Sequence, residues 1–115
     1  MRRFGSLPVL VVLACLALVT GRAHGADATR EISVTIEKNR FQPEEITVKA
    51  GAPFTLVVTN KDQGPEEFDI HVPRIEKVIP AGKTVKIRFP ALKAGTYPFV
   101  GEYHNETAKG KIIAE

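Results

Sequence analysis

The chain is nearly without sulfur: its one cysteine, Cys15, and its one methionine, Met1, both fall within the first fifteen residues. Beyond that segment no disulfide can form and no thiol is present to act as a nucleophile. The rest must then be stable by burying apolar surface alone, which for a small domain requires a well-formed core. The sequence also lacks an amphipathic helical pattern of useful length, an internal repeat and a low-complexity tract. It has no phosphate loop and no serine with a histidine and an acid at recognisable positions, so nothing points to an enzyme.

What is present begins with an export signal. Arg2 and Arg3 precede a nearly unbroken apolar run from Leu7 to Val19, too short to span a bilayer comfortably, and Ala23 and Gly25 offer a cleavage point before Ala26. We therefore expect a signal peptide over residues 1–25, a single domain over residues 26–115, a periplasmic location and no membrane span in the mature protein. Cys15 sits in mid-run with Leu16 to Val19 still apolar behind it, which argues against a lipid anchor. The residues after the arginine pair do not follow a twin-arginine pattern.

Cleavage also changes the charge. Loss of Arg2, Arg3 and Arg22 from the 16 Lys+Arg leaves 13 against 13 Asp+Glu, so the formal net charge falls from +3 to zero. The basic excess belongs to the leader, and no nucleic-acid partner is expected.

The mature part alternates like a sandwich or barrel. Over residues 31–38, Ile32, Val34 and Ile36 share one face while Ser33, Thr35 and Glu37 share the other, the period-two pattern of a half-buried strand. Residues 39–40 break that pattern and Phe41-Gln42-Pro43 crosses over. Further strands are read at 46–49, 54–59, 67–71, 76–79, 84–89, 96–101 and 110–114, separated by turn signals such as Asn60 to Pro65 and Pro80-Ala81-Gly82. Seven to eight short strands at this spacing predict an all-β Greek-key sandwich.

The segment from Gly95-Thr96-Tyr97-Pro98-Phe99 through Gly101 to His104, with Ala108-Lys109-Gly110 and the final apolar residues, resembles the last hairpin of cupredoxins. There the pattern is Gly-Thr-Tyr-x-Phe-x-Cys, two residues, His, a short loop, Met-x-Gly and the closing strand. Phe41-Gln42-Pro43, the stretch Ile46 to Gly51 and Val57 to Asn60 are similar to that family's earlier strands, so the likeness covers residues 31–115. By this resemblance the cysteine position holds Gly101, the histidine position His104 and the methionine position Ala108 or a neighbour. The first histidine ligand aligns with Glu66 or Glu67. A blue-copper centre needs a thiolate, two imidazoles and a weak thioether, and only one of the four ligands survives. Electron transfer by that route is excluded.

The departures themselves, Pro65-Glu66-Glu67-Phe68-Asp69 and Gly101-Glu102-Tyr103-His104, resemble the EfeO-type cupredoxin-like domains found in or beside bacterial iron-uptake systems. That resemblance implies a metal-binding role with iron or copper as cargo and a membrane iron permease as partner. The candidate metal residues are Glu66, Glu67, His71, Glu102 and His104. Carboxylates with imidazole suit hard or borderline ions and disfavour Cu(I). Alternation puts Glu67, Asp69 and His71 on one face and Glu66 on the Phe68 side, without choosing between Glu66 and Glu67. Asp69 and Glu106 read as surface residues. The competing reading is a metal-free interaction or assembly module that docks a partner on a sheet edge.

Overall fold

In the computed structural model, which describes Gly5 and residues 30–115, the alternating segments become nine strands. They are β1 (Arg30–Glu37), β2 (Arg40–Gln42), β3 (Glu45–Val48), β4 (Phe54–Asn60), β5 (Glu66–Ile70), β6 (Ile75–Ile79), β7 (Thr84–Phe89), β8 (Gly95–Gly101) and β9 (Lys109–Ala114). Eight match the expected segments to within about a residue at either end. The expected signal segment, with Cys15 and Met1, lies outside the described residues apart from Gly5.

The ninth strand is β2. Three residues are too few to show a period, yet β2 pairs antiparallel with β1 and buries Phe41 completely. The turn between them is tight because Lys38 and Asn39 both adopt left-handed φ, at 53° and 57°. The Asp62 carboxylate holds that turn, accepting the backbone N–H groups of Lys38 and Asn39 at 2.8 and 2.9 Å.

The strands form two mixed sheets packed face to face, ordered β2-β1-β4-β7 and β3-β9-β8-β5-β6. β1 runs parallel to β4, and β3 parallel to β9; every other pairing is antiparallel. The inward residues of both sheets meet in one core. Phe41, Phe68 and Phe99 lie 4.9 to 6.1 Å apart, while Phe54 stacks on Phe89 at 4.7 Å. Burying each ring contributes about 1.5–3 kcal/mol before entropy is counted, which is how the fold is held without disulfides. Phe99 faces Gly110 across the β8–β9 ladder, and a β-carbon at Gly110 would strike its ring.

Two strand ends define one pole of the sandwich. Phe68 pairs with Gly101, so Glu66, two residues earlier, projects beyond the end of β8. There the chain turns through a short 3-10 segment, Glu102–His104, and returns to β9. Among the described residues no helix is long and apolar enough to cross a membrane.

Candidate metal centre

Glu66 is the first residue of β5, and the alternation that buries Phe68 and Ile70 points its side chain inward too. It is 1% exposed. An isolated buried carboxylate is costly by several kcal/mol, and the surrounding backbone offsets that cost. Oε1 accepts the N–H groups of Glu67 and Tyr103, each at 3.0 Å, and Oε2 lies 2.6 Å from His104 Nδ1. The sequence left Glu66 and Glu67 as alternatives; it is Glu66 that meets His104.

Gly101 makes room for this arrangement. A β-carbon on Gly101 would stand 2.6 Å from the Glu66 carboxyl carbon and 2.7 Å from the Ala108 β-carbon, distances real side chains do not reach. The position that the resemblance assigns to cysteine is therefore bare because a carboxylate from the neighbouring strand fills the space a side chain would take. Ala108 is itself fully buried, and its carbonyl accepts the Gly101 N–H at 2.8 Å.

A type 1 copper centre does not fit these residues. No sulfur is present among the described residues, and the Glu66 carboxylate occupies the volume a thiol at position 101 would need. No group of three or more His, Cys, Asp or Glu side chains converges closely enough among the described residues to hold a metal ion unaided.

His104 is the boundary between this buried pair and solvent. Its side chain is 37% exposed and lines an open cavity of about 350 Å³ with Asn39, Tyr103, Asn105, Glu106 and Thr107. The loop is fastened at both ends: Ala108 N–H donates to His104 C=O at 2.8 Å, and the Thr107 hydroxyl donates to Asn39 C=O at 2.7 Å.

The remaining sequence candidates are placed differently. Glu67 alternates to the outer face of β5, near the Tyr103 ring. Partial desolvation, then the negative charges of Glu67 and Glu66, push the Tyr103 hydroxyl above the ordinary phenol range, although its ring is about half exposed. Glu102 is exposed on the 3-10 turn. His71 is not brought to the pair: it follows the far end of β5 and lines a separate apolar hollow with Val72, Thr96, Tyr97 and Pro98. Five residues of extended chain, roughly 16 Å, separate it from Glu66.

Asn60 was not singled out by sequence, yet it sets the pole's geometry. Fully buried, it donates through Nδ2 to the carbonyls of Gly64 and Ile79 and accepts the Asp62 N–H through Oδ1. It thereby closes the loop that delivers Glu66. Its position in phase with Phe54, Leu56 and Val58 was the available signal.

Comparison with known proteins agrees with this fold. The family model described as a cupredoxin-like domain matches residues 9–114. The uncharacterized protein RP394 of Rickettsia prowazekii (strain Madrid E) is 32% identical over 111 residues, spanning 91% of this chain and 89% of its own. Auracyanin A, a "blue" copper protein from Chloroflexus aurantiacus, superposes with a TM-score of 0.66 at 18% identity, over 76% of this chain and all of its own. The metal-binding domain of the Streptococcus pneumoniae D39 Cu(I)-exporting P-type ATPase CopA, with Cu(I), gives 0.63 at 20% identity, over 74% and 84%. Because the family model matches nearly the whole of the sequence, residues 9–114, the chain belongs to the cupredoxin-like domain family.

Proposed function

We propose that this is a periplasmic metal-binding protein that captures iron or copper and hands it to a membrane uptake system, an iron permease being the partner expected from the EfeO-type resemblance. The observation that carries the reading is the Glu66–His104 contact of 2.6 Å at one pole, with Gly101 left bare to admit the carboxylate. A buried carboxylate bonded to a part-exposed imidazole is the arrangement by which proteins orient a metal-binding histidine. Auracyanin A, a "blue" copper protein, and the CopA metal-binding domain with Cu(I) share this fold, which adds support for a metal-binding reading. With so few protein donors, the remaining coordination positions fall to water or to a partner, which suits cargo that must leave again. A donor set without sulfur supports a binding role in place of blue-copper electron transfer.

The test is calorimetry with Fe(II) and Cu(II), alongside elemental analysis of untagged protein purified from periplasm. About one ion per chain is expected, lost in His104→Ala. Equal binding by that variant would overturn the assignment.

One observation favours a second reading, a metal-free interaction module: every hydrogen-bonding atom of the Glu66 carboxylate already has a partner within the chain. That reading predicts no metal uptake in any redox state.

A further inference from the structure

The metal reading leaves open which atom of His104 faces the ion. We infer that the ion binds on the outer side of the imidazole, at Nε2, with Glu106 as a second protein ligand and Glu66 as the buried group that orients the ring. This inference rests on the metal-binding reading above and refines it.

The inner side is closed. Two donors of one ion, each about 2.0–2.2 Å from it, normally stand near 3 Å apart, whereas Nδ1 and Oε2 are 2.6 Å apart and in direct hydrogen-bond contact. Bringing an ion between them requires opening that bond. It also disturbs a carboxylate whose other oxygen accepts two backbone N–H groups and whose side chain is 2% exposed. Ala108, on the other side of the Gly101 position, is fully buried as well.

The outer side asks for none of this. A ring whose Nδ1–H is donated to a carboxylate has its lone pair on Nε2, at the opposite edge. The His104 side chain is 37% exposed although its Nδ1 faces the buried carboxylate, and the residue lines the cavity of about 350 Å³. Glu106, Asn39 and Asn105 line the same cavity, so a carboxylate and two amide side chains are available there beside the imidazole, with water to complete a shell. Carboxylate, imidazole, amide and water form an oxygen-rich set for a divalent hard or borderline ion. The cavity is also anchored at both margins, through the Asp62 bonds to the Lys38–Asn39 turn and the Thr107 bond to Asn39. The ligands therefore lie on fastened loops.

The experiment uses Zn(II), a diamagnetic probe, titrated into protein labelled with 15N and read by long-range imidazole proton–nitrogen correlation and by calorimetry. The expected result is a metal-induced shift of His104 Nε2, with Nδ1 keeping its hydrogen-bonded signature. Glu106→Gln, an exposed substitution that leaves thermal unfolding unchanged, should weaken Zn(II) roughly tenfold. Glu66→Gln should weaken it about 10–100-fold, the range for an orienting partner. A shift on Nδ1, or unaltered affinity in Glu106→Gln, overturns the outer site while leaving the metal-binding reading standing. No Zn(II), Fe(II) or Cu(II) binding by the unaltered protein overturns both.

Discussion

The β-carbon that Gly101 lacks would stand 2.6 Å from the carboxyl carbon of Glu66. Position 101 and position 66 are thus coupled across the β5–β8 pairing, and neither can change alone without strain. Gly101→Ala should destabilise the fold by about 1–3 kcal/mol, the usual cost of overpacking. Glu66→Ala removes the nearer obstruction, though not the Ala108 β-carbon at 2.7 Å, while losing three hydrogen bonds, so the double substitution should cost less than the sum of the singles. Urea unfolding of the four proteins measures this. Strict additivity would mean that the carboxylate is not what keeps position 101 bare.

This coupling shows where sequence reading stops. The alternation of Ile32, Val34 and Ile36, and of Phe54, Leu56 and Val58, is a local signal, and it gave the strands and the sandwich. The loss of sulfur and the survival of His104 were equally legible from the hairpin pattern. What stayed hidden was any relation between strand ends far apart in the chain. Glu66 and Glu67 are identical in type and adjacent; alternation puts them on opposite faces, but only the burial of Glu66 against His104 tells which of them meets the histidine. His71 closes the expected 67–71 strand, but it follows the end of β5 that lies far from Glu66. β2 went unseen because three residues have no period.

Asn60 offers a test of the scaffold rather than the ligands. Its fully buried amide closes the loop between β4 and β5 with three hydrogen bonds to backbone groups. Asn60→Ala should cost about 2–3 kcal/mol, because buried backbone partners are left unpaired. Amide exchange at Asp62, whose N–H the Asn60 side chain accepts, should quicken before the core strands open. A substitution that left both stability and exchange unchanged would remove Asn60 from its proposed role.

Tyr103 provides a pH signature for the pole. Desolvation first, then the charge of Glu67 and its hydrogen bond, and finally the charge of Glu66, favour the neutral phenol in the folded protein. A folded-state value above the ordinary 10 means that this contribution to stability is complete below about pH 10 and is lost as pH rises through the higher folded value. Absorbance titration of the phenolate, in a Tyr97→Phe background so that Tyr103 is the one tyrosine left of two, should give a midpoint above that of a free phenol. Glu67→Gln should lower the midpoint without fully restoring it, because desolvation is the larger cause. A midpoint at the free-phenol value in the background protein would contradict the placement of Tyr103 beside Glu67.

Copper spectroscopy tests the departure from the blue-copper pattern. With no sulfur among the described residues, Cu(II) bound by the protein should show only weak visible absorption, since the intense band of blue sites arises from a thiolate bond. Gly101→Cys alone should not restore that band. The new side chain would run into the Glu66 carboxylate, and the thiolate would still lack a second imidazole and a thioether. Combining Gly101→Cys with Glu66→His removes the carboxylate and supplies a second imidazole, so thiolate colour should be stronger in the combined variant than in Gly101→Cys. The comparison is read by visible absorption and electron paramagnetic resonance after adding one equivalent of Cu(II). A strong thiolate band in the single variant would show that the Glu66 carboxylate yields readily, and that the pole is softer than its packing against Gly101 and Ala108 implies.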